Sequence, residues 1–338
     1  MKKRGMGIAT MFYPVGVSAL PNPSAAFVKV NNDGTAVVYI GSADIGQGSS
    51  TVMAQIAAEE LGIHYEDVAI VNGDSKLCPY DQGTVASRLT YVVGNAVKIA
   101  ANEAKQVLFD IAANDFNVLK DSLVAKDGYI YVGGFPENKL KIKDIATKAY
   151  KKKGVIPVGS GSFTPAITPL DPVTGHGKPF PAYVYATQIA EVEVDTETGY
   201  YEVLNLIAVH DCGKAINPLL TEGQIEGGIG NGIGYAMFEE MIVKDGKVVN
   251  SQLTDYIVPT ALDMPNIITE IVERPEPTGV FGAKGIGEPS LMPTAPAIAN
   301  AIQDAVGIKI RELPITSEKI YFALQEKAKQ EAQLQENN

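Results

Sequence analysis

The sequence predicts an α+β fold made of two similar mixed α/β subdomains, each a β-hairpin followed by a helix. Two observations carry this. First, Ala26–Val30 and Thr35–Ile40 flank Asn32-Asp33-Gly34, and Ile189–Val194 and Tyr201–Val209 flank Asp195-Thr196-Glu197-Thr198-Gly199. Strand-forming runs joined across a turn that ends in glycine read as hairpins. Second, a turn with a Gly-Gln pair follows each hairpin, at Gly46-Gln47 and Gly223-Gln224, and helical spacing begins there. Strands and helices do not alternate as βαβ units, so a doubly wound parallel sheet is not expected.

Residues 1–150 form the first half. Met53, Ile56, Ala57 and Leu61 share one helical face, with Ser49 or Ser50 as the expected cap and Gly62 as the stop. Val68–Val71 is a short apolar strand, and Tyr91–Ala113 is Ala-rich with few breakers, which predicts a long buried helix. Tyr129–Val132 after Asp127-Gly128 predicts a further hairpin strand. Residues 151–181 open on Lys151-Lys152-Lys153-Gly154 and contain Pro157, Pro165, Pro169, Pro172, Pro179 and Pro181. This stretch reads as a long connecting loop. Residues 182–324 form the second half, with a Gly-studded helix running to about Glu240 and another helical pattern from Ala295. Residues 325–338 are a charged tail, read as a solvated helix end.

Composition narrows the function. The chain has 338 residues, 46% hydrophobic and 20% charged, enough to bury two cores. Its 28 basic and 39 acidic residues give a net charge of −11, which argues against a nucleic-acid partner because a phosphate backbone needs a basic surface. No apolar run reaches bilayer length, and Met1-Lys2-Lys3-Arg4-Gly5 has no apolar signal core behind it, so no membrane role and a cytoplasmic location are expected. Two cysteines, Cys78 and Cys212, give no disulfide framework. His64, His176 and His210 are far apart, so a zinc or iron–sulfur site built from protein ligands is not expected.

Gly230-Asn231-Gly232-Ile233-Gly234 lies within a helical pattern rather than between a strand and a helix, which argues against a dinucleotide fingerprint. Instead, small-residue segments carry amides, hydroxyls and one carboxylate. They are Gly46-Gln47-Gly48, Thr84-Val85-Ala86-Ser87-Arg88, Gly94-Asn95, Gly223-Gln224 and Gly285-Ile286-Gly287-Glu288-Pro289. Each alone reads as a cap or a turn. Together they suggest one extended polar cofactor bearing phosphate. Backbone N–H groups at Gly46–Ser50 and Ala86-Ser87 are the expected phosphate donors, and Glu288 is a candidate base held close by glycines and a proline.

In this order, Asp44-Ile45-Gly46-Gln47-Gly48, then Thr84 to Arg88 with Gly94-Asn95-Ala96-Val97, then Gly223-Gln224-Ile225-Glu226-Gly227, then Lys284 to Pro289, the chain resembles the molybdenum hydroxylases, the xanthine dehydrogenase and aldehyde oxidoreductase family. The resemblance runs over about residues 4 to 322 and covers the second half of that family's molybdopterin-binding region. It implies a molybdopterin-binding domain of the xanthine dehydrogenase type. It also implies a separate catalytic subunit, similar to the medium molybdopterin subunit of nicotinate dehydrogenases.

The cofactor implied is molybdenum–molybdopterin cytosine dinucleotide with a terminal sulfido or selenido ligand. The partners implied are a second, large molybdopterin subunit, an iron–sulfur subunit with 2Fe-2S clusters and a FAD subunit. By position, Glu288 is implied as the base in water-derived hydroxylation of an N-heteroaromatic substrate, nicotinate- or purine-like. Gly46, Gln47, Gly48, Ala86, Ser87, Arg88, Gln224, Lys284 and Gly287 are implied as cofactor-binding, and Tyr13 as lining the substrate pocket. An aldehyde-oxidising or aromatic-reducing activity of the same family is one alternative, and a noncatalytic cofactor-carrying role is another.

Overall fold

Both hairpins extend into four-stranded mixed sheets in the computed structural model, which describes residues 1–17 and 21–336. In the first part of the chain the elements are β1 (Lys2–Pro14), β2 (Ser24–Val30), β3 (Ala36–Ile40), α1 (Ser49–Leu61), β4 (Val68–Asn72) and α2 (Gly94–Phe116). A small sheet of β5 (Leu123–Lys126), β6 (Tyr129–Val132) and β7 (Lys139–Lys141) follows, then α3 (Ile142–Lys148). Next come β8 (Val158–Phe163), β9 (Tyr183–Asp195), β10 (Tyr201–Asp211) and α4 (Pro218–Ile233). The chain ends with the short pair β11 (Val243–Lys244) and β12 (Lys247–Val248), then β13 (Asn266–Val272), α5 (Thr294–Val306) and α6 (Ser317–Glu336). Asn337 and Asn338, the end of the expected tail, lie outside the described residues. No helix among the described residues is long and apolar enough to cross a membrane.

The two large sheets share one plan. Their strand orders are β8-β2-β3-β4 and β1-β9-β10-β13. In each, the first two ladders are antiparallel and the last is parallel. Taken along the chain, β1-β2-β3-α1-β4-α2 and β8-β9-β10-α4-β13-α5 are the same series, and the leading strand of each lies in the sheet of the other. The strand β8 falls inside the stretch expected to be a connecting loop. Its prolines flank the strand and do not interrupt it, because Val158–Phe163 contains none.

Close packing explains the glycines of the exchanged strands. A β-carbon on Gly5 would come within 2.4 Å of the Ala301 carbonyl oxygen, and one on Gly7 within 2.2 Å of the Ala297 oxygen. A β-carbon on Gly159 would come within 2.0 Å of the Ala100 oxygen, and one on Gly161 within 2.1 Å of the Ala96 oxygen. Paired glycines on an outer strand therefore lie directly on an alanine row of a helix in both units. One core fills the space between the first sheet and α1 and α2, around Val28, Val38, Ile40, Met53, Ile56 and Val97. The other lies between the second sheet and α4 and α5, around Val192, Leu206, Ile225, Ile229, Ile298 and Ile302.

Two helix starts differ from expectation. Gly223-Gln224 is inside α4 rather than in a turn before it, because Asn217 caps the helix by accepting the Leu220 N–H at 3.1 Å and Pro218 occupies its first turn. The helical glycines of α4 allow close approach: a β-carbon on Gly228 would strike the Ser290 hydroxyl, and one on Gly232 would lie 2.4 Å from the Thr294 β-carbon. Likewise Gly94-Asn95 opens α2, where the Asn95 amide donates to the Tyr91 and Thr278 carbonyls at 2.8 and 3.1 Å.

Candidate functional site

The loop between β3 and α1 is organised by Asp44. Its carboxylate accepts the backbone N–H groups of Gly46 at 3.0 Å, Gly48 at 3.3 Å and Ser50 at 2.9 Å. Burial pushes this carboxyl up, but the Ser50 and Gly46 N–H groups outweigh it and hold its pKa below the ordinary value. Neither Ser49 nor Ser50 caps α1; Gly48 takes the cap position in a left-handed conformation, and Asp44 takes the N–H groups expected to meet a phosphate. Gln47 is braced within the loop, its oxygen accepting from the Ile45 N–H at 2.7 Å and its amide donating to the Ser49 hydroxyl at 3.0 Å.

The second segment, residues 84–90, leads into a π-helical turn at Leu89–Val93. Ala86 and Ser87 both have left-handed backbones, φ 51° and 49°, uncommon for residues with a β-carbon. Arg88 holds them there. Its guanidinium is wholly buried and donates to Asn22 at 2.6 Å, Asp81 at 2.9 Å, the Gly83 carbonyl at 3.1 Å, the Pro23 carbonyl at 3.1 Å and the Ser24 hydroxyl. Those bonds use all the donors that an arginine has. Arg88, implied from sequence as cofactor-binding, has its guanidinium committed to this internal brace.

The third segment carries Glu288. Ser87, 201 residues away in sequence, meets it twice: its hydroxyl bonds the carboxylate and accepts the Glu288 N–H at 3.1 Å. A β-carbon on Gly285 would collide with the Ser87 carbonyl, so only glycine lets the two loops cross there. Lys284 turns its ammonium to Asp211 at 2.7 Å, and its N–H donates to the Cys212 carbonyl at 2.9 Å. The Tyr13 phenol stands beside the Ser87–Glu288 pair. Burial and then the Glu288 charge raise its pKa, while a hydrogen bond with Ser87 pulls it down.

These segments border one cleft of about 510 Å³, between the α1 loop, residues 84–90, α4 and residues 285–291. Gly46, Gln47, Ser87, Arg88, Gln224, Gly287 and Glu288 line it. Lys284 lines a smaller adjoining cavity of about 60 Å³, which Gln47 and Gln224 also border. Gly48, Ala86 and Tyr13 line neither, although Ala86 supports the wall by accepting the Gly16 N–H at 2.9 Å. Asn231 and Ser290 belong to the lining although the sequence assigns neither to the site; Asn231 lies two helical turns beyond Gln224, on the same face of α4.

The walls offer side-chain amides, hydroxyls and a single carboxylate. That donor set suits a polar organic cofactor more than a bare metal ion. Among the described residues, no group of three or more His, Cys, Asp or Glu is placed to hold a metal.

A polar cleft of this kind, walled by two units that exchange strands and holding one carboxylate, defines a domain that binds an organic cofactor. The molybdopterin cofactor-binding domain family matches residues 1–265. The chain is 35% identical over 331 residues to the xanthine dehydrogenase molybdenum-binding subunit of Escherichia coli O157:H7, covering 94% of this chain and 42% of that one. It is 33% identical over 302 residues to the nicotine 6-hydroxylase large subunit of Paenarthrobacter nicotinovorans, covering 88% of this chain and 36% of that one. Quinoline 2-oxidoreductase from Pseudomonas putida 86 superposes with a TM-score of 0.86 at 30% identity, over 96% of this chain and 42% of that chain.

The chain belongs to the xanthine dehydrogenase and aldehyde oxidoreductase family of molybdenum hydroxylases, as a molybdopterin-binding domain. It spans less than half the length of these relatives.

Proposed function

We propose that the cleft holds molybdenum–molybdopterin in its cytosine dinucleotide form, and that Glu288 is the base in hydroxylation of an N-heteroaromatic substrate, nicotinate- or purine-like. The observation that carries this is the Ser87–Glu288 pair facing the cleft. Relatives named for xanthine, nicotine and quinoline support the substrate class.

When bound, the cofactor supplies the two-electron redox chemistry. Gln47, Gln224 and Asn231 offer donors and acceptors to its heterocycle, and Ser49, Thr84 and Thr90 are hydroxyls on the same walls. Gly287 keeps the base loop slender where it crosses Ser87. Glu288 takes a proton while an electron-poor ring carbon gains oxygen derived from water. Ser87 keeps the carboxylate aimed at the reacting atoms. Tyr13 lies beside the Ser87–Glu288 pair, and its ring is the aromatic surface we assign to packing against the substrate ring.

The working assembly is a cytoplasmic complex in which a second molybdopterin subunit, an iron–sulfur subunit and a FAD subunit complete the pocket and remove electrons. Glu288→Gln in that complex should retain molybdenum and lose turnover by at least about a thousandfold, the scale of removing a general base together with its aim. Turnover of the variant at the parent rate would refute the assignment.

A further inference from the structure

Ser87 holds Glu288 from the cleft side, whereas the back of its turn is held by side chains that do not line the cleft. Gln188, on β9, is wholly buried among the inward-facing Val184, Ala186, Ala190 and Val192. Its amide nitrogen donates to the Ser290 carbonyl at 2.7 Å, and its amide oxygen accepts the Thr294 hydroxyl at 2.7 Å. The chemistry fixes which way the amide faces, since a carbonyl can be met only by the NH₂ side.

The same nitrogen lies 3.4 Å from Nε2 of His210 on β10. His210 is wholly buried, and burial lowers its pKa to about 4, so the ring is neutral and Nε2 accepts. Its Nδ1 has no hydrogen-bond partner among the described residues. The Ser290 hydroxyl closes the turn by donating to the Gly287 carbonyl at 2.7 Å, and the Leu291 N–H reaches the Glu288 carbonyl at 3.2 Å. Only Pro289, with a fixed φ, separates Glu288 from the carbonyl that Gln188 grips.

An amide in this apolar face is costly unless every hydrogen-bonding group is met, and an aliphatic side chain would pack there without that demand. The amide therefore serves placement. We propose that Gln188 is a positioning residue for Glu288, acting through the Ser290 carbonyl and the Thr294 hydroxyl. The catalytic part of this proposal rests on Glu288 being the base.

Hydrogen exchange of the full chain, followed by mass spectrometry, tests the clamp in Gln188→Leu and Thr294→Val. The peptide spanning residues 285–294 should exchange about tenfold faster in Gln188→Leu and somewhat faster in Thr294→Val, with peptides from β10 and α5 unchanged. Unchanged exchange at 285–294 in both variants would overturn the proposal. So would an equal rise across β10 and α5, which would mark Gln188 as an ordinary core residue.

In the molybdenum-loaded complex turning over nicotinate, Gln188→Leu should lower kcat about tenfold with KM and molybdenum content kept. An unchanged kcat beside faster exchange would overturn the positioning role. A parent complex inactive towards nicotinate would count against the substrate reading alone, and the exchange result would still decide the clamp.

Discussion

Ser87 and Glu288 are joined at both the carboxylate and the backbone, so the carboxylate proposed as the base is fixed in position and in direction. Their meeting depends on Arg88, whose guanidinium ties Asn22, Pro23, Ser24, Asp81 and Gly83 into one knot beneath the left-handed Ala86-Ser87. Arg88→Met should destabilise the fold by about 3–5 kcal/mol, because it leaves Asp81 buried without its cation. Chemical denaturation measures this directly.

His210 gives the stability a pH signature. Its folded pKa of about 4 lies below the ordinary 6.5, so below pH 6.5 the unfolded chain binds a proton that the fold does not. The contribution is complete above about pH 6.5 and is lost as pH falls toward 4. By pH 4 the loss is about 3 kcal/mol for this group. Denaturation of the protein and of His210→Phe at pH 8 and pH 4 should show a variant that loses about 3 kcal/mol less across that interval. Equal losses would mean that the ring is protonated in the fold.

At the scale of elements, hairpins and helices were legible where the pattern is local. Asn32-Asp33-Gly34 and Asp127-Gly128 make the expected turns, and Gly62 ends α1 in a left-handed conformation. What was not legible depends on partners distant in sequence. The strand β8 lies in a stretch that looks like a linker because its reason to be a strand is β2 and α2. Asp44 caps α1 from outside the usual cap position, so the sequence points instead to Ser49 and Ser50 at the helix start. Arg88 and Lys284 are implied as cofactor-binding in sequence, and only tertiary contact shows their ion pairs with Asp81 and Asp211. The glycine pairs of β1 and β8 have a sharp test. Gly7→Ala places a methyl against the backbone of α5 and should cost about 1–3 kcal/mol, measured as a lower unfolding midpoint with the sheet content kept. A neutral result would mean that β1 lies farther from the backbone of α5 than the 2.2 Å between a Gly7 β-carbon and the Ala297 oxygen implies.

For the molecule as a whole, two copies of one strand–helix series trade their leading strands, and the cleft is bordered by loops from both. The order of the motifs along the chain was enough to indicate a molybdopterin-binding domain, and the family match bears this out. The strand exchange was not legible, because outer-strand pairing leaves no local mark in a sequence of alternating apolar residues. The proposed function requires that this cleft carry the cofactor. Its most direct test is molybdenum and cytidine monophosphate analysis of the protein purified from its native host by a tag on this chain, with any chains that accompany it. Equimolar molybdenum and cytidine monophosphate, both lost when Gln47 and Gln224 are replaced together by leucine, is the result expected here. A folded, partner-bound preparation free of molybdenum would contradict it.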